Sequence, residues 1–439
     1  MPSRDERLWA QYPAAGQDAC VSSQRHRKRG PALLAVVVLA LGMAACGSSP
    51  AKVRRVATTT SRSTTSSTTS TSAAPTTTSV PRPQLPAGGP VPSGFEPGSV
   101  TFVSATTGFV LGVDATCPAG SCAALARTSD TGASWVALPA PPAAYENRFA
   151  TGASKPAVSE VRFADALDGW IYGPSLFVTH DGGASWQQLN LGGPVVDLET
   201  SGGFVDAVVS PCGGQETCSG SLRLEQALTT GSAFTTVLSG PAVQAAAGAL
   251  AALSLHAPVG FVNLSGASGI SPAALYATRS LAVPSGWNAF PDPCTVSADY
   301  SLDAFVAPDV TSLYSLCGGP GAAGSVAKEV VRTENGHSTV VGQPPPGGDP
   351  EGLAATSSGT LVVSAASGAS ELYRSADGGA TWTTAVTFSD GGIGFNDLGF
   401  TTSTQGVVIH GEPGPPTDFV SQLLMTKDGG ANWQVVPIA

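Results

Sequence analysis

The sequence predicts an all-β fold of radially repeated units, a seven-bladed β-propeller. One observation is an eight-residue string that occurs four times: T-S-D-T-G-A-S-W at 128–135, T-H-D-G-G-A-S-W at 179–186, S-A-D-G-G-A-T-W at 375–382 and T-K-D-G-G-A-N-W at 426–433. The other is its spacing, since the outer pairs of strings are about 50 residues apart and the middle gap is about four such periods long, which leaves place for three more copies. This period is typical of four-stranded propeller blades.

Three degenerate copies of the string fill the middle gap. They are T-T-G-S-A-F ending at Phe234, P-S-G-W ending at Trp287 and R-T-E-N-G-H-S-T ending at Thr339. Before the strings come pairs of β-branched runs separated by a glycine, such as V-R-F-A-D-A-L-D-G-W-I-Y-G from Val161. These runs predict strands A and B of each blade, and the string itself predicts the turn between strands C and D. Because strand D of the last blade falls at the end of the sequence, we expect the ring to close by packing, without an exchanged strand.

The strings have the chemistry of a tight turn. Aspartate accepts backbone N–H hydrogen bonds, glycine adopts positive φ, and tryptophan begins the next strand with a large apolar surface. They resemble the Asp-box, or bacterial neuraminidase repeat, of sialidases, sortilin-type receptors and the photosystem II assembly factor family. The residues with this structural role are Asp130, Gly132, Trp135, Asp181, Gly183, Trp186, Asp377, Gly379, Trp382, Asp428, Gly430 and Trp433.

The residues before the propeller divide into two segments. A basic stretch and a short apolar run predict a signal peptide with an N-terminal extension at 1–45. The sequence M-A-A-C-G at 43–47 resembles the lipobox of bacterial lipoproteins, which implies a lipid on Cys46. Residues 46–96, rich in Thr, Ser and Pro, predict a disordered stalk, and 97–439 the propeller. The alternative is an apolar run retained as a membrane anchor, although it is shorter than the roughly 20 residues that a spanning helix needs.

The net charge of the predicted propeller excludes some classes of partner. From residue 83 onward, 10 lysines and arginines stand against 28 aspartates and glutamates, which leaves a net charge of −18. Because such a domain repels phosphate backbones and anionic lipid, we expect no nucleic acid partner and contact with the membrane through the lipid anchor only. The expected partner is an envelope protein or a glycan, bound by a monomer on the extracytoplasmic side.

Six cysteines remain once Cys20 is removed with the signal and Cys46 is lipidated, and an even number in an exported protein indicates disulfides. Their spacing and elimination predict the pairs Cys117–Cys122, Cys212–Cys218 and Cys294–Cys317. The five histidines are scattered and no phosphate loop occurs, so we expect no metal site and no cofactor.

The predicted pairs all fall in loops of one face, where the B–C and D–A connections of a propeller lie. The longest connection on that face, at 139–157, contains a mixture of aromatic and charged side chains suited to a sugar or a peptide. We therefore predict a ligand site at Tyr145, Glu146, Arg148 and Phe149. The alternative is an ordinary exposed loop with one aromatic ring turned inward.

The resemblance to sialidases implies a test for catalysis. Such an enzyme needs three arginines around the substrate carboxylate, a tyrosine paired with a glutamate, and an acid/base aspartate. Arg127, Arg332 and Arg374 precede strings and are structural by repetition, which leaves Arg148, Arg162, Arg223 and Arg279 with no supporting motif. We therefore predict no catalytic residue and a non-catalytic binding or assembly scaffold. The alternative is an exo-acting, sialidase-like glycoside hydrolase, which two carboxylates and a basic residue in the central funnel would favour.

Overall fold

A computed structural model describes residues 84–117, 121–146, 156–211, 219–244, 250–265, 274–413 and 421–439. All belong to one compact unit, Thr78–Ala439. The predicted signal peptide, Cys46 and most of the predicted stalk lie outside the described residues. Within them, no helix is long and apolar enough to cross a membrane.

The described strands form seven sheets arranged as the blades of a β-propeller, as the sequence predicts, and within each blade the four main strands are antiparallel. The strands of blades 1 to 4 are β1 (Phe95–Phe102), β2 (Gly108–Asp114), β3 (Cys122–Thr128) and β4 (Val136–Leu138), with the two-residue strands β5 (Ala144–Tyr145) and β6 (Ala157–Val158) added to the same sheet; β7 (Glu160–Phe163), β8 (Gly169–Tyr172), β9 (Leu176–Thr179) and β10 (Gln187–Leu189); β11 (Val195–Ser201), β12 (Phe204–Val209), β13 (Ser219–Leu228) and β14 (Thr235–Gln244); and β15 (Leu250–His256), β16 (Val259–Ser265), β17 (Leu275–Thr278) and β18 (Asn288–Ala289).

Blades 5 to 7 follow the same order. Their strands are β19 (Ser301–Val306), β20 (Ser312–Ala322), β21 (Ser325–Glu334) and β22 (His337–Gly342); β23 (Asp349–Ala355), β24 (Leu361–Ala366), β25 (Gly368–Ser375) and β26 (Thr383–Gly391); and β27 (Phe395–Phe400), β28 (Gly406–His410), β29 (Gln422–Thr426) and β30 (Gln434–Val435). Two short 3₁₀ helices, Pro284–Gly286 and Pro293–Val296, lie after β17 and β18. In two of the three blades with degenerate strings the last strand begins directly after the string, at Thr235 and Asn288, whereas β22 begins at His337, two residues before the third string ends.

The core consists of apolar clusters between neighbouring blades. Phe109 and Leu125 of blade 1, for example, pack against Ile171 and Phe177 of blade 2. The tryptophans that close the strings contribute to this packing, since Trp135 joins the cluster between blades 7 and 1 and Trp287 the one between blades 3 and 4. Burial of apolar surface between blades therefore holds the ring together.

The ring closes by packing between the first and last blades, as predicted. Blade 7 takes all four strands from residues 395–435. Its Val407, Ile409 and Met425 contact Val100 and Trp135 of blade 1 in one buried cluster. The Ser421 hydroxyl also donates to the Pro97 carbonyl at 2.6 Å.

The residues just before strand β1 contact blade 1. Strand β1 starts at Phe95, and Gly89 exchanges two backbone hydrogen bonds, of 2.9 and 2.8 Å, with Ala137 of β4. Arg127 donates to the Pro86 carbonyl at 2.8 Å. The segment around Pro86 and Gly89 therefore covers part of the outer edge of blade 1, where β4 would otherwise expose unpaired backbone groups.

Candidate functional site

The four complete strings form the same hydrogen-bonded turn between strands C and D. In the last string the Thr426 hydroxyl donates to Asp428 at 2.9 Å and accepts from the Gly430 N–H at 2.9 Å. Asp428 accepts from the backbone and the side chain of Asn432, at 2.9 and 2.7 Å. The strings at 128–135, 179–186 and 375–382 repeat these contacts. Gly430 has a φ of +80°, which favours glycine.

These hydrogen bonds stabilise the charged form of each aspartate. Hydrogen bonds from the Asn432 side chain and backbone lower the pKa of Asp428 to about 2, and those from Ser134 and Thr381 do the same for Asp130 and Asp377. The carboxylates are thereby engaged within their own turns. Their geometry is that of turn-forming residues.

Two of the predicted disulfides are present. Cys117 and Cys122 have a Cα–Cα distance of 6.1 Å, and Cys294 and Cys317 one of 5.6 Å. Cys212 and Cys218 lie outside the described residues. The presence of these two disulfides indicates that the protein occupies an oxidising, extracytoplasmic environment.

The predicted ligand loop has its aromatic ring turned inward. Tyr145 is 7% exposed and packs with Val158 and Val161 in the cluster between blades 1 and 2. A Cβ atom at Gly98 would overlap the Tyr145 hydroxyl, so the ring fits only against a glycine. Little of the ring remains for a ligand, which matches the alternative stated for this loop. Glu146 is partly exposed, while Arg148 and Phe149 lie outside the described residues.

At the axis of the propeller an arginine bridges two carboxylates from different blades. Arg162 of β7 donates from Nε to Glu199 Oε1 at 2.7 Å and from Nη2 to Asp397 Oδ1 at 3.2 Å. Asp397 also accepts from the Ser99 hydroxyl at 2.5 Å and from the Val100 N–H at 2.8 Å. The cluster ties blades 1, 2, 3 and 7 together where their innermost strands meet.

Asp197 makes a similar link between blades 3 and 4. Its carboxylate accepts from the Leu198 N–H at 2.8 Å and from the Leu253 N–H at 2.7 Å. Burial, with Glu199 as the next contribution, raises the pKa of Asp197 to about 7. A carboxyl group with this pKa has the property of a general acid. Its two oxygens, however, already accept backbone hydrogen bonds.

A cavity of about 530 Å³ lies beside this cluster. It is formed by the ends of the innermost strands of blades 4 to 7 and the A–B turns that follow them, together with Glu199 of blade 3. The A–B turns lie on the same face as the repeated C–D turns, since Gly378 donates to Gly359 and Gly429 to Thr404. The cavity therefore opens on the face opposite to the one that we predicted to bind ligand.

The cavity wall is mostly small, hydroxyl-bearing or aliphatic. Its lining includes Ser254, Ala307, Leu353 and Thr402, with Phe305 as one of its two phenyl rings. Glu199 is the one carboxylate among the lining residues that the structure describes. The described wall therefore lacks the pair of carboxylates that a glycoside hydrolase would need there.

A tyrosine–glutamate pair of the type that sialidases use occurs elsewhere, between blades 5 and 6. The Tyr373 hydroxyl is hydrogen-bonded to Glu371 and lies 3.0 Å from the Gly347 carbonyl. Tyr373 is only 1% exposed, and burial together with Glu371 raises its pKa. A buried tyrosine with a raised pKa is a poor nucleophile, because the phenolate is disfavoured and a substrate cannot reach it.

The chain is thus a seven-bladed β-propeller with a cavity at its axis. No protein-family model and no curated protein sequence matches the chain.

Solved structures resemble it in fold. A structure described as YCF48 bound to D1 peptide is 17% identical, covers 77% of this chain and 95% of its own, and has a TM-score of 0.46. YCF48 from Cyanidioschyzon merolae is 14% identical over 77% and 95% of the two chains, with a TM-score of 0.45. The α-L-arabinofuranosidase Arb93A of Fusarium graminearum is 11% identical over 77% and 94%, with a TM-score of 0.40.

Sequence reasoning missed the axial cluster. Arg162 was one of four arginines without a supporting motif, and neither Glu199 nor Asp397 was a candidate. Arg162 is separated by 37 residues from Glu199 and by 235 from Asp397. The signal that could have found the cluster is the position of each residue within a predicted strand A, since those strands converge on the axis.

Proposed function

We propose that this protein is an exported envelope lipoprotein whose propeller binds a protein or a glycan at its axial cavity and carries out no catalysis. In this proposal the segment at 1–45 directs export, Cys46 carries the lipid, and the stalk holds a monomeric propeller away from the membrane. The observation that carries the binding role is the cavity itself: about 530 Å³ of space with a single carboxylate in its described wall. Ligand pockets commonly have volumes of about 300–1,000 Å³.

The charged groups at the axis support binding over glycoside cleavage. A glycosidase needs two carboxyl groups with the scissile bond between them. Here the Arg162 guanidinium occupies the space between Glu199 and Asp397. Asp397 is only 6% exposed and also binds Ser99 and Val100, so it serves as a link between blades.

One observation favours the alternative, a glycoside hydrolase with a divergent site. Asp197 has the raised pKa of a general acid and lies two residues from Glu199 on the same strand. In that alternative Asp197 would protonate the leaving group, and Glu199 would act as nucleophile or base. The alternative requires Asp197 to release the Leu198 and Leu253 backbone hydrogen bonds during turnover.

The deciding experiment screens the purified protein on peptide and glycan arrays and against a panel of chromogenic glycosides. Ser403 is exposed at the cavity wall, so Ser403→Trp obstructs the cavity, whereas Thr404→Trp places the same bulk next to it on a residue outside the lining. We expect ligand binding that Ser403→Trp abolishes and Thr404→Trp preserves, with no turnover. Cleavage of a glycoside that is lost in Glu199→Gln would overturn the proposal in favour of the hydrolase.

A further inference from the structure

The geometry points to a cationic guest for the axial cavity: the lysine or arginine side chain of an extended basic peptide, with Glu199 as its acceptor. This inference rests on the proposed binding function and names the chemistry of the ligand. It follows from the free hydrogen-bonding capacity of Glu199, the walls of the cavity and the charge around it.

Glu199 has unused acceptor capacity on the cavity side. Its Oε1 atom accepts from Arg162 Nε at 2.7 Å, and the structure gives no hydrogen bond to Oε2 within the described residues. The side chain is 29% exposed and is part of the cavity wall. A carboxylate oxygen accepts only, so its complement is a donor, and charged donors bind it most strongly.

The negative charge around Arg162 favours a second cation nearby. Although burial opposes its charge, the carboxylates Asp397, Glu199 and Glu160 help to raise the pKa of Arg162 well above its ordinary value. Three carboxylates therefore act on one guanidinium. A guest ammonium or guanidinium group near Glu199 reduces the remaining negative charge, whereas an anionic guest adds to it.

The walls of the cavity suit the rest of such a side chain. Leu253, Leu353 and Phe400 offer apolar surface to an aliphatic stem, which lysine and arginine bury while the charged head finds its partner. Hydroxyl groups of Ser357 and Thr402 lie along the wall and are exposed, where they can bond a peptide backbone. The volume of about 530 Å³ exceeds the space that one side chain fills, so it also accepts neighbouring residues of an extended segment.

The charge of the whole domain points to the same class of partner. A net charge of −18 over residues 83–439 creates a field that attracts basic segments and accelerates their association. Folded acidic domains repel one another and repel anionic glycans, so a basic peptide is the complementary ligand.

The test is isothermal titration calorimetry of the full-length protein with an eight-residue peptide of alternating serine and lysine. The matched probe is the same peptide with every lysine Nε-acetylated. We expect saturable binding of the charged peptide and at least tenfold weaker binding of the acetylated one. Glu199→Gln should weaken binding by about 10- to 100-fold, as expected for loss of a charge-assisted hydrogen bond. Arg162 can still donate to the glutamine carbonyl, which preserves the axial contact.

Glu334→Gln is the control variant. It makes the same change in charge on the outer part of blade 5, where Glu334 pairs with Arg332 at 3.2 Å, and it should weaken binding by less than about fivefold. Equal binding of the two peptides, or equal effects of the two variants, overturns the cationic guest. If array ligands still depend on the Ser403→Trp change in that case, the binding function stands and only the assigned ligand class fails. If no ligand responds to Ser403→Trp, the binding function fails.

Discussion

Asp206 places a carboxyl group in the apolar interface between blades 3 and 4, and its replacement by asparagine tests how that interface is stabilised. Its side chain is 0% exposed, and neither oxygen has a hydrogen-bond partner in the described part of the chain. Phe204 and Val208, two residues to either side on β12, pack into the cluster between these blades. Because successive side chains of a strand point to opposite faces, Asp206 points to the same face as Phe204 and Val208.

The magnitude follows from the pKa of this carboxyl group. Burial raises the pKa of Asp206 to about 7. An unfolded aspartate has a pKa of about 3.9, so between about pH 4 and pH 7 the folded state holds a proton that the unfolded state has released. Stability therefore falls as the pH rises through this window, by up to about 4 kcal/mol for a shift of about three units.

The measurement is urea unfolding of the wild type and Asp206→Asn at pH 5 and pH 8. The amide is neutral at both values, so the free energy of unfolding of the variant relative to the wild type should rise by about 2.5–3 kcal/mol between pH 5 and pH 8. Asp299→Asn makes the same chemical change at an exposed position and corrects for the reduced net charge. If Asp206→Asn gains no more stability between pH 5 and pH 8 than this control, the buried carboxyl group of Asp206 does not destabilise the fold as the pH rises.

Three further predictions concern the links that hold the ring together, and equilibrium unfolding measures each of them. Arg162→Met leaves Glu199 and Asp397 without their shared cation and should cost about 3–5 kcal/mol; a loss below about 1 kcal/mol would show that the axial cluster contributes little. Thr426→Val keeps the shape of the side chain but leaves the Gly430 N–H unbonded, so it should cost about 1–3 kcal/mol, and an unchanged midpoint would contradict the role given to this hydroxyl. Removal of Cys294–Cys317, which spans 23 residues, should cost about 3 kcal/mol and removal of Cys117–Cys122, which spans 5, about 2 kcal/mol; the reverse order would contradict the loop-length argument.

The architecture was predictable because its determinants are local and repeated. The Asp428 turn is formed by residues within a few positions of one another, so its signal is present in a single short string. Once four copies fixed the period, the degenerate turns ending at Phe234, Trp287 and Thr339 could be placed from spacing alone. Strand D begins next to each of the first two, at Thr235 and Asn288.

The candidate site was less predictable because its residues come from distant blades. Arg162, Glu199 and Asp397 meet only after the ring has closed, and no local pattern marks them. The composition of the loop at 139–157 led to the prediction of a ligand site, yet Tyr145 packs into the core. Composition indicates which side chains could bind a ligand, whereas the fold decides which of them reach a cavity.

The most direct test of a non-catalytic binding centre at the propeller axis is to measure ligand binding to Ser403→Trp and Thr404→Trp. We expect a ligand identified on the arrays to bind the wild type and Thr404→Trp with equal affinity, to fail to bind Ser403→Trp, and to be recovered chemically unchanged. Equal binding to all three proteins, or recovery of a cleaved ligand, would contradict this expectation.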